Sequence, residues 1–153
     1  MRFGVPFAVL LAAAASPALA ADEMPGEATY LSRVRQLTFE GKRAGEGYFS
    51  PDGKRFVFQA EREKDNPFYQ IYMLSLETGD VHRASNGTGK TTCAYFDPKH
   101  ERVIFASTHL DPDAVAKQKM EIENRAAGKQ RRYAWDYDET YEIFSTALDG
   151  SDP

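Results

Sequence analysis

The sequence predicts an all-β fold built from two repeated units of short antiparallel strands. A pattern of strands and turns occurs twice along the 153 residues. Each copy carries tight-turn residues, such as Ser-Pro-Asp-Gly at 50–53, where proline presets φ and glycine takes a conformation that other residues avoid. The ten Phe and eight Tyr residues cluster in short runs, which is the composition of packed strands.

The repeat is offset by 47 residues in its first half and by 72 residues in its second half. The first half pairs Phe49 with Phe96, Pro51 with Pro98, Arg55 with Arg102 and Phe58 with Phe105. The second half pairs residues 69–77 with residues 141–149, so the second copy holds 25 additional residues between its matched halves. A repeat in the forties with four strands per unit is typical of β-propeller blades.

Four strands are predicted in the first unit, at about residues 48–49, 55–60, 70–76 and 80–84. The first blade then covers about 45–86 and the second, incomplete blade about 91–153, within a partial propeller that spans 34–153. Residues 34–38 are predicted as a free outer strand. Because a propeller closes with about four to eight blades, we expect an N-terminal fragment of a longer protein. An open two-sheet domain is the alternative, although its uncovered sheet edges disfavour it.

The additional residues of the second unit predict a helical insertion at about 111–132. Asp-Pro-Asp at 111–113 is typical of a helix start and Gly128 of a helix end. Between them, Val115, Ile122 and Ala126 form only a thin apolar stripe on a mostly charged helix. We therefore expect most of this helix to be solvated.

The residues at 49–55 and 71–79 resemble the TolB-like, WD-related propeller repeats of bacterial envelope proteins. The resemblance rests on Phe-Ser-Pro-Asp-Gly-Lys-Arg followed by an apolar strand, and then on Ile-Tyr and Leu-Glu-Thr-Gly, and it covers about residues 34–152. The second unit departs from the pattern, because Asp-Pro-Lys-His at 97–100 lacks the turn glycine. The resemblance implies a propeller fold, which by itself carries many functions.

The N-terminus has the pattern of a secretory signal peptide over residues 1–20, followed by a linker at 21–33. Arg2 precedes an apolar run, and Ala-Leu-Ala at 18–20 forms a cleavage site. The run is too short for an ordinary membrane span, which needs about 20 apolar residues; an uncleaved anchor is the alternative. These features predict a periplasmic or secreted protein with no stable membrane span after cleavage.

Charge and cysteine content limit the function classes further. A formal net charge of -4 argues against a nucleic-acid partner, which requires a basic surface. The single cysteine, Cys93, cannot form an internal disulfide. Its position in a strand-like run predicts a buried structural thiol.

Loops that follow alternate strands lie at the same end of a blade, and this end is the expected binding face. The candidate ligand-binding residues there are Lys90, Thr91, His109, Trp135, Asp136, Tyr137 and Asp138. The aromatic and acidic residues among them could hold a polar ligand or anchor the insertion by packing, and packing is favoured.

Three sequence patterns resemble cofactor or metal sites, but each lacks the neighbouring structure or the residue spacing that such a site requires. The run at 84–91 imitates a phosphate-binding loop but precedes a predicted strand instead of a helix. The acidic residues at 136–142 lack the EF-hand spacing, and the three His residues lack a paired-ligand spacing. We therefore predict no cofactor, no metal and no catalytic residues.

Two functions remain. The first is a non-catalytic binding or scaffold module for protein, peptide or cell-envelope ligands. The second is the substrate-gating propeller of a secreted peptidase, similar to prolyl oligopeptidases, with its catalytic domain beyond Pro153. A Gly-x-Ser-x-Gly sequence in downstream residues would identify the second.

Overall fold

The computed structural model describes residues 26–99, 101–129 and 137–152, and the chain divides into two compact units with the boundary between Leu37 and Thr38. The first unit contains a short helix, α1 (Glu27–Tyr30). The predicted outer strand is not formed, because residues 34–38 are irregular and belong to no sheet. The signal peptide at 1–20, the first part of the linker at 21–25 and the end of the insertion at 130–132 lie outside the described residues.

The first sheet has four antiparallel strands in sequence order. They are β1 (Arg43–Phe49), β2 (Arg55–Glu61), β3 (Gln70–Ser75) and β4 (Val81–Arg83). The β1–β2 connection is the predicted tight turn, in which the Gly53 amide donates to the Ser50 carbonyl over 2.9 Å. Gly53 has a φ of +70°, a left-handed value that glycine adopts without steric cost.

The second sheet has three antiparallel strands, β5 (Thr91–Asp97), β6 (Arg102–Ser107) and β7 (Glu142–Ala147). The helix α2 (Ala114–Ala126) lies in the connection between β6 and β7, and Gly128 follows it with a φ of +69°. The predicted all-β fold is confirmed: it has two antiparallel units, the second incomplete and interrupted by a helix, consistent with partial propeller blades. None of the helices in the described ranges has the length and hydrophobicity that a membrane crossing needs.

The sequence repeat persists in the strand register. Tyr48 pairs with Val57 in the first sheet, and Tyr95 pairs with Ile104 in the second, so both members of the pair shift by 47 residues. Each first strand also has an irregularity at the same place, at Glu46 in β1 and at Cys93-Ala94 in β5. A bulge of this kind inserts an extra residue and increases the local twist.

The expectation of a buried Cys93 thiol is wrong, because this residue is exposed. Cys93 lies in the β5 bulge with a φ of +55°. The Cys93 Sγ atom is 3.7 Å from Glu46 Oε2, at the equivalent position of the first sheet. The strand alternation that predicted burial is interrupted by the bulge.

The main core lies between the two sheets. Val57, Ile71 and Met73 from the first sheet form one buried cluster with residues of the second. The second sheet contributes Ala94, Phe96, Val103 and Phe105. Each fully buried large side chain of this kind contributes about 1.5–3 kcal/mol, so apolar burial holds the two sheets together.

The turn that lost its glycine is a site for stabilisation. Glu101 has a φ of +49°, a left-handed value that is unfavourable for a residue with a Cβ atom. We expect Glu101→Gly to raise the free energy of unfolding by about 0.5–1 kcal/mol. Lys99→Gly, at a neighbouring position without a positive φ, is the control and should not stabilise. Urea unfolding of both variants measures this, and equal effects would contradict the explanation.

A second test uses two buried threonines. Thr146 is fully buried, and its hydroxyl has no hydrogen-bond partner in the described part of the chain, whereas the Thr91 hydroxyl donates to the Tyr69 carbonyl over 2.9 Å. We expect Thr146→Val to stabilise and Thr91→Val to destabilise the fold, each by about 1 kcal/mol. Thermal unfolding of the two variants checks the opposite signs.

Candidate functional site

Three connections meet at one end of the two sheets, and we call this surface the loop face. They are residues 62–69 between β2 and β3, residues 84–90 between β4 and β5, and, between β6 and β7, residues 108–129 with α2 and residues 137–141. The antiparallel strand order places them at this end, opposite the tight β1–β2 turn. Their contacts with one another define the candidate site.

Buried side-chain amides join the first two connections. Asn66 is fully buried, and its Nδ2 atom donates to the carbonyls of Gly87 and Gly89 over 2.9 and 2.8 Å. Gln70 Nε2 donates to the same Gly89 carbonyl over 2.9 Å. Buried carbonyls require such partners, so these amides fix the path of the 84–90 connection.

The helix α2 is attached to these connections through polar side chains. Gln118 accepts a hydrogen bond from the Gly89 amide over 2.8 Å and donates to the Asp65 carbonyl over 3.1 Å. Two turns later, Arg125 donates to the Pro67 carbonyl over 2.8 Å. The predicted apolar stripe does not dock the helix, because Val115, Ile122 and Ala126 are exposed.

The first charged cluster lies at the beginning of α2. Asp138 Oδ2 is 3.1 Å from both Lys90 Nζ and Lys117 Nζ, and Lys117 also lies 2.7 Å from Asp111. Burial by itself would raise the pKa of the Asp138 carboxyl. The hydrogen bonds from Thr140, together with those from the two lysines, hold that pKa well below its usual range.

The second charged cluster surrounds Glu61 at the end of β2. Its carboxylate forms ion pairs with Lys42 at 3.2 Å, with Arg43 at 3.1 Å and with Arg125 at 2.7 Å. Burial raises the pKa of the Glu61 carboxyl, but the hydrogen bond from Lys42 and the charge of Arg125 outweigh it, and the net pKa is lowered. Glu61 is therefore ionised at neutral pH.

In the Glu61 cluster the carboxylate lies inside and Lys42 and Arg43 extend towards solvent, whereas in the Asp138 cluster Lys90 is itself only 12% exposed. The side chains of Glu61 and Asp138 are 3% and 6% exposed, whereas those of Lys42 and Arg43 are 72% and 49% exposed. The Glu61 cluster therefore presents positive charge to solvent although the chain has a formal net charge of -4.

The structure places several predicted site residues in internal contacts. Thr91 is buried at the start of β5, and Lys90 lies on the Asp138 carboxylate with its Nζ atom 5.3 Å from the Phe68 ring centroid. Tyr137 is 87% exposed next to the buried Asp138. Trp135 and Asp136 lie outside the described residues.

His109 also makes internal contacts. Its Nδ1 atom is 2.9 Å from Ser107 Oγ, and its ring packs on Phe144 with centroids 4.2 Å apart. The pair has the separation of a nucleophile and its base, but Ser107 is buried and also accepts the His109 amide. In this position Ser107 orients the imidazole ring.

The run at 84–91 joins two strands, β4 and β5, as its sequence context predicts. The Gly89 amide, which a phosphate-binding loop would direct at its ligand, is occupied by Gln118. Gly89 has a φ of +70°, and a Cβ atom there would lie 2.7 Å from Thr108 Oγ1. This glycine is therefore required for close packing of the two connections.

For metals, the described ranges contain no group of three or more His, Cys, Asp or Glu residues placed to hold an ion. Because the acidic run includes Asp136, which is not described, the absence of a metal stays a prediction.

Sequence reasoning did not identify the Glu61 cluster. Arg43 and Glu61 are 18 residues apart in the sequence although they pair at the open end of the β1–β2 hairpin, and Arg125 is 64 residues beyond Glu61. One signal was present: Gln118, Glu121 and Arg125 follow one another at helical spacing, which indicates a polar docking face.

Comparisons with known proteins give limited matches. No family model matches the chain, and no curated protein matches it. Among solved structures the chain is similar to "putative TolB from Agrobacterium tumefaciens", with 18% sequence identity and a TM-score of 0.48. The match covers 75% of this chain, which spans 30% of the length of that structure.

His109 gives a pH prediction. Burial lowers the pKa of His109 below the value of about 6.5 for an unfolded chain. As the pH falls below about 6.5, the unfolded state binds the proton first, so the contribution of the neutral ring to stability is lost. We expect His109→Asn to flatten the decrease in unfolding free energy between about pH 7 and pH 5, where carboxylates titrate little. Urea unfolding at these two pH values measures it, and an unchanged decrease would contradict the assignment.

Proposed function

We propose that this chain is a non-catalytic binding module that takes a protein or peptide ligand at the loop face. The observation that carries the proposal is the rigid joining of three connections by buried amides and ion pairs. A preorganised surface loses little conformational entropy when a ligand binds. Loops held on a sheet scaffold are where binding residues concentrate.

Exposed apolar side chains on the same surface support this proposal. Leu110 and Tyr137 are 71% and 87% exposed, and each directly precedes an aspartate that is paired with Lys117. The two ion pairs hold the backbone of both residues near the beginning of α2. Aromatic and aliphatic side chains fixed in this way are typical contact points in protein interfaces.

The non-catalytic assignment is part of the proposal. In the described residues, the Ser107–His109 pair is the arrangement closest to a nucleophile with its base, and the buried Ser107 hydroxyl cannot reach a substrate. The buried carboxylates Glu61 and Asp138 are ionised and occupied by cations, which leaves them unsuited to proton transfer.

We also propose export to the periplasm or beyond the cell, on the pattern of residues 1–20. Expression in a Gram-negative host should give a mature protein that begins at Ala21, in the periplasmic fraction. N-terminal sequencing measures this directly, and a retained N-terminus in the membrane fraction would contradict it.

The binding function is tested with a random heptapeptide library that has free carboxyl ends. Peptides captured by the immobilised chain are identified by mass spectrometry, and the affinities of synthetic copies are measured. We expect Leu110→Ala/Tyr137→Ala to weaken binding by about tenfold or more, since exposed anchors dominate such interfaces.

The matched control is Tyr95→Ala/Ile104→Ala, an exposed cross-strand pair on the second sheet away from the loop face. This control should leave the affinity unchanged. An absence of any enriched peptide, or equal losses in the two double variants, would overturn the proposed function.

A further inference from the structure

We infer that the cation cluster around Glu61 is a subsite for a peptide carboxylate, an inference that rests on the proposed binding function. The subsite consists of Lys42, Arg43 and Arg125, with the Tyr69 ring beside them. The positive charges of the subsite exceed its negative charges, and some of its N–H donors make no hydrogen bond within the described part of the chain.

The charge balance leaves an excess of positive charge. Three cations lie within 3.2 Å of one buried carboxylate, and Glu121, 2.8 Å from Arg125 Nε, supplies the second negative charge. The cluster therefore carries a net charge of +1. A carboxylate ligand would neutralise it.

The geometry of Arg43 provides a place for that ligand. The Arg43 Nε atom donates a hydrogen bond to Glu61 Oε2, and its guanidinium carbon lies 4.4 Å from the centre of the Tyr69 ring. These two contacts hold the guanidinium plane in one orientation. The two terminal nitrogens have no hydrogen-bond partner in the described part of the chain, and together they form the fork that binds a carboxylate in two parallel hydrogen bonds.

Lys42 and Arg125 complete the subsite in different ways. Lys42 is the most exposed of the three cations, so it can turn its ammonium group towards a ligand. Arg125 is committed to Glu61, Glu121 and the Pro67 carbonyl, so it anchors Glu61 and sets the position of the other two. Arg125 is thus a positioning residue, and Lys42 and Arg43 are the contact residues.

The position of the subsite suits a peptide that lies across the loop face. Lys117 and Arg125 are eight residues apart on α2, which corresponds to about 12 Å along the helix axis. An extended peptide covers that distance with about four residues. A peptide that contacts Leu110 and Tyr137 near Lys117 can therefore place a carboxylate at Arg43.

The test is a double-mutant cycle on peptides selected for binding. Each peptide is made with a free carboxyl end, as the C-terminal amide, and with Asp and Glu replaced by Asn and Gln. We expect one of the two replacements to weaken binding to the natural chain by about tenfold or more, and that replacement identifies the carboxylate as terminal or side-chain. In the Lys42→Gln/Arg43→Gln variant of the protein, the same carboxylate replacement in the peptide should not weaken binding further.

The chain offers a matched control, because a second Lys-Arg pair occurs at Lys54 and Arg55, at the opposite end of β2. Lys54→Gln/Arg55→Gln changes the net charge equally and should keep both the affinity and its dependence on the carboxylate. Arg125 remains in every variant, so Glu61 keeps an ion pair and the fold should be retained; circular dichroism checks this.

The outcomes separate the two proposals. If peptides bind but neither carboxylate replacement changes the affinity, or if both double variants behave alike, the carboxylate subsite is wrong while the binding function stands. If no peptide binds the natural chain, the proposed function itself fails.

Discussion

The loop face depends on the requirement that buried backbone carbonyls find hydrogen-bond donors. The carbonyls of Gly87 and Gly89 lie where two sheets and a helix converge, out of reach of any ladder partner. Asn66 and Gln70 supply the donors, and Gln118 of α2 accepts the Gly89 amide. A buried carbonyl or amide without a partner costs about 1–3 kcal/mol, so these three amide side chains determine how the connections can pack. The charged clusters are arranged around this centre.

Apolar and polar contacts stabilise different parts of the structure. Apolar burial joins the sheets, through residues such as Val57, Met73 and Phe105. Hydrogen bonds and ion pairs join the connections, where few large apolar side chains are buried. Apolar packing is not directional, so the core should tolerate apolar substitutions that conserve volume, whereas the loop face depends on particular amides, carboxylates and cations in particular places. This separation allows a ligand surface to change while the sheets remain the same.

Local sequence patterns predicted the sheets well because their causes are local. The spacing between Phe49 and Phe96 and the turn at 50–53 located strands, and the structure retains the same register in both units. The prediction that Cys93 is buried was wrong, because a bulge interrupts the alternation of buried and exposed side chains at this residue. The sequence has no proline or glycine there to mark the bulge. The strand at 34–38 did not form, since a strand exists only where a partner strand pairs with it.

The site was harder to predict because it is assembled from distant residues. Lys90, His109 and Asp138 were placed at the correct end of the sheets, but their contacts are internal. The Glu61 cluster needs a hairpin register that joins Arg43 to Glu61 and a helix position that brings Arg125 to the same carboxylate. Neither follows from spacing, because the hairpin register includes a bulge between Gly45 and Gly47 and the helix position depends on how α2 docks. The helix itself was predicted, but its buried face was not, since it is polar.

The polar attachment of α2 determines how the free energy of docking this helix depends on temperature. Detachment of a helix that is docked by apolar area increases the heat capacity, whereas detachment of α2 would expose mainly amides and charges. Its detachment should therefore change the heat capacity little, and salt should affect it weakly because the carboxylates of its ion pairs are buried. The attachment of α2 should therefore vary little with temperature compared with the apolar core between the sheets, whose burial carries a large heat capacity change.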